Sequence, residues 1–582
     1  MKLAPRTEAA VVVLTALVAG LPLLAGRVLG GHDVATYLMY APQVAGLLGE
    51  GTFLPAWAAE LNGGFGGPGL LFYPPLVNVP HALLLLAGIP PAVGTGLVAV
   101  ALLALSGLAV LAWMRAWGLA EGALAAALVY VASPYRLVDL YERTALSEHL
   151  AFLFPPLVLA ALASARPASP LRRTALVALA AAGLLLSNLP AAILTGVALA
   201  AVVLFPATGE GRRTVAISGA LLGAGLAAFA LVPAALSGRW CATELFYSGG
   251  SPYFRPSQHV LFGPAELNPE FGRRVSWAVV ALAALLAIAF VAGRLRGRPD
   301  PRRGLWGAIA LVAFLALLPP AGPAWDVIPV LSKLQFPWRL ATVLTLALPP
   351  LVALAPRRAA IALVAAGALA SVPWYGRFTA PLAAVPAEAP PPAAPGTVFP
   401  DPQDVHDSAG RSAHPWMQNP GLLDVWFVPR TVPPVSWREV VEGSAPSSAP
   451  SLRRAPVASR AGPVRWNVTR WDRLSKSATV EGPGGALLIR QLYFPGFRVE
   501  VDGAQRPVRP DPPTGLLSVE IPAGRHDVAW SWTPFGPLPA ARAVSAAAAA
   551  AVFVLLVVPA FLRRRPTPGN GFRQVSPEAP RR

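Results

Sequence analysis

The sequence predicts an all-α membrane domain of about twelve crossings, with a small β-sandwich before the last helix. Three observations predict it. The chain of 582 residues is 55% hydrophobic and only 13% charged, a combination seldom met in soluble proteins. Many apolar runs reach the roughly 17–25 residues needed to cross a bilayer. Between 461 and 535 these runs give way to short strand-like segments separated by turns such as Asp502-Gly503 and Ala523-Gly524.

The net charge of +18 does not point to nucleic acid. The basic residues are almost all Arg and fall in short clusters between apolar runs, as the positive-inside rule expects of cytoplasmic loops. The abundance of Ala, Arg and Pro fits a GC-rich bacterial genome, and hence a multi-pass protein of the bacterial plasma membrane. Cys241 is the only cysteine, so an intrachain disulfide and a Cys-based metal site are excluded. The His residues are scattered, without His-x-His or His-Glu-x-x-His, so zinc is not expected; no cofactor is indicated, and a divalent metal stays open. Residues 2–26 have the charge and apolarity of a signal peptide but no small-residue cleavage site, and are read as a retained anchor.

Topology follows from the clusters Arg166/Arg172/Arg173, Arg212/Arg213, Arg294 to Arg303, Arg357/Arg358 and Arg563 to Arg565, all placed in the cytoplasm with both termini. Apolar runs between neighbouring clusters must form hairpins. One covers 174–206, broken at Ser187-Asn188-Leu189-Pro190; the others enclose outer loops. The stretches 28–75 and 135–148 then both lie outside, so an even number of crossings separates them. Three apolar runs are present there, and the short one at 75–88, with Pro80 and His81, is expected to lie in the interface or re-enter. Arg115 then falls in the cytoplasm.

The domains read as a transmembrane unit over 1–375, with outer loops 28–90, 135–148, 237–273 and 321–337. A Pro/Ala/Ser-rich linker covers 376–460, the β domain 461–535, and the final helix with its basic tail 536–582. Expected strands are 464–471, 486–493, 498–501, 516–521 and 526–532. The loop Gly63 to Gly69 lacks the strand, helix and Lys of a phosphate cradle and reads as flexible.

Candidate chemistry clusters on the outer face. Asp33 opens the first outer loop. A carboxylate there could take a proton from an acceptor hydroxyl beside a lipid-borne substrate, or could simply cap the helix that starts near Val34. In Tyr135 to His149, Asp139 and Arg143 are spaced i, i+4 and pair if the segment is helical; for Asp139 this favours a surface ion pair. Glu148 and His149 sit at the mouth of a membrane segment, where ionisable groups are costly unless they face a polar cavity. Lys333 and Arg339 are cations on the face where the positive-inside rule does not call for them, together with Arg239, Arg255, Arg273 and Arg274. They could bind a phosphate, or pair with Glu244, Glu266 and Glu270.

These residues also carry a family likeness. Gly31-His32-Asp33, Phe72-Tyr73-Pro74-Pro75, Pro134-Tyr135-Arg136 through Glu148, Gln335-Phe336-Pro337-Trp338-Arg339 and Tyr493-Phe494-Pro495-Gly496-Phe497 resemble the bacterial YfhO-like membrane proteins. Some relatives of that group are labelled 6-pyruvoyl-tetrahydropterin synthase-related. The broader resemblance is to GT-C glycosyltransferases, which use polyprenyl-phosphate sugars and keep a catalytic acid in the first outer loop. It implies Asp33 as the catalytic acid/base, with Arg143, Glu148, Lys333 and Arg339 lining the donor phosphate site. His32, Tyr73 and Gln335, in the same motifs, complete the candidate substrate-binding set. The chain departs from many such enzymes in having one first-loop acid where a pair is common.

The reading is therefore a membrane glycosyltransferase. It would move a sugar from a polyprenyl-phosphate donor to a glycan, lipid or protein of the cell envelope, on the extracytoplasmic face. The alternatives are a transporter or flippase of lipid-linked glycans, or a non-catalytic envelope assembly protein. A transporter should place polar residues at the midplane of broken helices, whereas here they gather on one face.

Overall fold

The computed structural model describes residues 4–24, 27–29, 33–61, 64–163, 169–205, 210–241, 255–264, 269–295, 299–377, 379–381, 430, 456–512 and 514–562. Each of the twelve expected crossings is helical, but they are unequal. Eight helices among the described residues are long and apolar enough to span a bilayer: Pro5–Leu24, Ala92–Ala116, Ala120–Arg143, Leu146–Ala163, Pro170–Ser187, Gly211–Trp240, Pro269–Leu295 and Leu538–Val558. A ninth arises if Pro301–Leu315 and Pro319–Val327, bent by 75°, count as one span. The other three are Leu189–Leu204, Ala341–Leu354 and Arg357–Ser371, of 16, 14 and 15 residues. At 1.5 Å per residue these cover about 21–24 Å, short of a bilayer core of about 30 Å.

Caps set several helix starts. Ser169, Asn188 and Asp300 each accept a backbone N–H of the first turn that follows, at 3.3, 3.0 and 2.9 Å. Asn188 ends one helix and caps the next, which makes the expected hairpin break. Helix Asn78–Leu86 has nine residues, too few to cross, and packs beside helix Val34–Gly49. Arg115 pairs with Glu8 near the start of the first helix, so the end of helix Pro91–Ala116 lies on the same face as that start.

The segment 135–148, expected as a loop, is helical. Helix Pro134–Val138, a π-helical turn Asp139–Arg143 and helix Leu146–Ala151 run through it, and every residue from Pro134 to Ala151 is buried. Near its end the first helix leads into β1 (Arg27–Leu29), which pairs antiparallel with β2 (Thr379–Pro381) at the start of the expected linker.

The C-terminal strands form two facing sheets. One has the order β3-β6-β10-β9 (Val457–Ser459, Gly485–Leu492, Leu516–Ile521, Val508–Pro510). The other has the order β4-β5-β11-β7-β8 (Arg465–Trp471, Ser475–Gly482, Gly524–Trp532, Phe497–Val501, Ala504–Arg506). All five expected strands are present. β5 was not expected: its inward residues Lys476, Ala478 and Val480 alternate with Ser477 and Thr479, and the small polar residues mask the period of two.

The segment after the first helix completes this sandwich. Trp57 is fully buried, stacked on Phe494 at 5.8 Å and edge-on to Phe497 at 5.2 Å between ring centroids. Its Nε1 donates to Gln491 Oε1 at 3.1 Å, Gln491 Nε2 donates to the Gly64 carbonyl at 2.8 Å, and Leu492 N donates to the Phe65 carbonyl at 2.6 Å. The expected flexible Gly loop is thus clamped over residues 64–69. Gly66 has φ +75°, and a Cβ there would lie 2.6 Å from the Trp57 ring, so only glycine fits.

Candidate active site

The segment 134–151 is the scaffold of the site. Its π turn inserts one extra residue per turn, and the chain leaves it through Thr144 at φ 54°, a left-handed conformation rare for a β-branched residue. The wide turn brings two residues of the motif together with a third. Arg143 Nη1 donates to Asp139 Oδ1 and, at 2.8 Å, to Glu148 Oε2, while Tyr135 OH donates to Glu148 Oε1 at 2.7 Å. Asp139 is fully buried, which overturns the surface ion pair expected of it. Arg339 Nε lies 3.9 Å from Glu148 Oε2.

Behind this layer, Arg136 is buried between the rings of Tyr130 and Phe152, 4.9 and 4.8 Å from their centroids. His149 Nε2 donates to the Arg136 carbonyl at 2.9 Å, which assigns its proton to that nitrogen.

Asp33 faces the cluster from the first loop. Its N–H donates to the Arg143 carbonyl at 2.9 Å. It occupies the N-cap position of helix Val34–Gly49 without making the cap bond, so the capping alternative fails. The Asp33 carboxyl is half-buried and makes no hydrogen bond to any described residue. Burial pushes it above the ordinary carboxylate range, against the pull of Arg143 and Arg339. One turn on, Tyr37 OH accepts the Ser147 N–H at 3.0 Å, and Ser147 Oγ accepts from Asn188 Nδ2 at 3.3 Å. Tyr73 meets Tyr37 and Tyr40 with ring centroids at 6.3 and 5.3 Å, and His81 stacks on Tyr37 at 5.7 Å.

The two arginines are not equivalent. Arg143 is committed to two carboxylates. Arg339 donates Nη1 to the Leu334 carbonyl at 2.8 Å and lies 5.0 Å over the Phe336 ring, and its buried Nε has no hydrogen-bond partner. Beside it Gln335 is buried at φ 65°, with Nε2 unpartnered. The immediate cluster holds three acids (Asp33, Asp139, Glu148) and two arginines.

The structure therefore brings together Asp33, Tyr73, Arg143, Glu148 and Arg339 of the expected set, with Gln335 adjacent to Arg339 in sequence. Lys333 is exposed and makes no ion pair with any described residue. His32, Glu244 and Glu266 lie outside the described residues. Of the other arginines expected on that face, Arg274 is taken up by Glu142 at 2.7 Å and Glu270 at 3.3 Å, and Arg239, Arg255 and Arg273 are exposed. Tyr37, Tyr135 and Ser147 were missed as site residues; the one available signal was the i, i+4 spacing of Tyr37 from Asp33. Among the described residues, no group of three His, Cys, Asp or Glu side chains could hold a metal ion.

No family model matches the chain, and no curated protein matches it. Among solved structures, the chain is similar to the arabinofuranosyltransferase AftD from Mycobacteria, at 21% identity and a TM-score of 0.43 over 65% of this chain. A mutant of the same protein matches at 24% identity and a TM-score of 0.42. The chain spans about a quarter of AftD, 27% and 28% of it in the two structures.

Proposed function

We propose that this protein is a multi-pass membrane glycosyltransferase that takes a sugar from a polyprenyl-phosphate donor and adds it to a cell-envelope acceptor on the outer face. The observation that carries the reading is the state of Asp33: a half-buried carboxyl that no described residue hydrogen-bonds, beside the buried Arg143 and the half-buried Arg339. Glu148 accepts from both Arg143 and Tyr135, and Asp139 holds Arg143 through Oδ1 while both acids are fully buried, so Asp33 is the one acid of the three whose carboxyl is open to an acceptor.

In the reaction, the acceptor hydroxyl gives its proton to Asp33 as its oxygen bonds to the anomeric carbon. The bond from that carbon to the phosphate oxygen breaks with its electron pair, and the carrier phosphate leaves with the added charge. Arg339 keeps a guanidinium edge for that charge, in a site where a preorganised cation acts strongly. Arg143 holds the π turn and orients the acids. A raised carboxyl pKa brings the base closer to the working pH, as general base catalysis favours.

The test is transfer of radiolabelled sugar from synthetic polyprenyl-phosphate donors in proteoliposomes, comparing the wild type with Asp33→Asn. Loss of transfer by about 100-fold or more in a folded variant supports the assignment. Retained transfer removes Asp33 as the base. Movement of the donor across the bilayer without transfer would replace the transferase reading with a flippase.

A further inference from the structure

The helix that begins beside Asp33 is anchored at its far end by the β-sandwich, through one side chain. Helix Val34–Gly49 is about 24 Å long and is interrupted by Pro42, which removes a backbone hydrogen bond and weakens its rigidity. Its start is held by the Asp33 N–H on the Arg143 carbonyl and by Tyr37 OH on the Ser147 N–H. Its end is held from outside. Arg473, at the tip of the β4–β5 hairpin, lays its guanidinium flat on the helix at Gly46, where a Cβ would sit 1.9 Å from Arg473 Cζ. From there Nη1 donates to Glu50 Oε1 at 2.9 Å, the Arg473 N–H reaches Glu50 Oε2 at 3.1 Å, and Nη2 lies 3.5 Å from Glu60 Oε2. Gln43, on the same helix, closes the ring: its Oε1 accepts the Glu60 N–H at 3.2 Å and its Nε2 donates to Glu60 Oε2 at 3.4 Å. Lys476 Nζ donates to the Arg473 carbonyl at 3.0 Å and braces the hairpin.

We infer that Arg473 is a positioning residue for the active site. The sandwich sets the height and rotation of helix Val34–Gly49 through it, and so the placement of Asp33 and Tyr37. The missing side chain of Gly46 makes room for the guanidinium, and the fork geometry of Arg lets one side chain meet both Glu50 and Glu60. The consequence for rate rests on the transferase reading; the consequence for the helix does not.

Hydrogen exchange on the full chain in nanodiscs tests it, with wild type, Arg473→Gln, Gly46→Ala and the double variant. Peptides covering 33–49 are expected to exchange about tenfold faster in each single variant, with β5 and β11 unchanged. The double variant is expected to match Arg473→Gln, because both changes remove one contact. In the transfer assay kcat falls about threefold to tenfold with the donor KM little changed, and Arg473→Lys recovers part of the loss. Faster exchange confined to 472–476, or spread over the whole sandwich, would overturn the inference. So would unchanged kcat in a variant whose 33–49 peptides do exchange faster. If the wild type transfers no sugar at all, the transferase reading fails, and the exchange pattern still decides whether Arg473 positions the helix.

Discussion

The backbone N–H of Asp33 donates to the carbonyl of Arg143 at 2.9 Å, so the start of the first loop and the π turn are registered by main chain rather than by side chains. Substituting the Asp33 side chain therefore leaves the registration intact. Asp33→Ala is expected to change stability by less than about 0.5 kcal/mol, since no cap bond is lost, whereas a capping Asp would cost about 1 kcal/mol. Thermal unfolding in nanodiscs, followed by tryptophan fluorescence, checks this.

The pH profile of transfer follows from the same carboxyl. A base works only when deprotonated, and burial raises the value for Asp33. Transfer is expected to rise with pH through an apparent pKa above the ordinary Asp value, and to level off once Asp33 is ionised. Transfer rates measured from pH 4 to 8 in proteoliposomes report the limb. A limb at or below the ordinary Asp value would contradict the burial effect.

Arg143 and Arg339 are expected to fail differently. Arg143→Met leaves Asp139 and Glu148 buried without their cation, which costs about 3–5 kcal/mol. Arg339→Met removes the longer contact to Glu148 at 3.9 Å, a bond to the Leu334 carbonyl and the cation over the Phe336 ring, but strands no buried acid without its cation, so its stability loss is smaller and its effect falls on donor binding and rate. Denaturation midpoints beside donor KM values separate the two. Equal stability losses would mean that Arg339 is as structural as Arg143.

Thr144 adds a third case. Its left-handed φ and its buried Oγ1 without a partner both cost energy. Thr144→Gly is expected to raise stability by about 1 kcal/mol and to lower kcal-scale rigidity at Arg143, so kcat drops while the unfolding midpoint rises. Both are read on one preparation.

What the sequence disclosed, and what it concealed, can be traced to particular residues. The helices were legible because Leu, Ala and Val runs have no alternative in lipid, and Asn188-Leu189-Pro190 marks a break by capping chemistry. The site was legible as motifs, since ionisable groups at helix mouths are conspicuous. The π turn was not, because one extra residue in a helical turn carries no composition signal, and without it Asp139 looked exposed. Lys333 resembled Arg339 in sequence, yet Lys333 is exposed while Arg339, beyond the left-handed Gln335, lies 3.9 Å from Glu148. The docking of Trp57 into the sandwich depends on contacts more than 400 residues apart, which local patterning cannot register.

Lys476 gives the sandwich a pH dependence of defined sign. Burial pushes its ammonium down to about 8, against the pull of Glu60 and Glu50. The folded state therefore releases its proton before the unfolded chain, whose Lys titrates near 10.4. Below pH 8 both states are protonated and the whole cost of burying the charge is present. Between about 8 and 10.4 the unfolded chain binds more protons, so stability rises with pH, by roughly 3 kcal/mol in all. Other groups titrate in this window, so the quantity to compare is the difference between the wild type and Lys476→Met. The Met variant keeps an unbranched side chain and loses the charge, which lies 5.0 Å from the Trp471 ring centroid. Denaturant unfolding of the two proteins at pH 7.5 and 9.5 should show Lys476→Met gaining less from the pH rise. Parallel shifts in both proteins would place the ammonium in water, and with it the tip of the hairpin that carries Arg473.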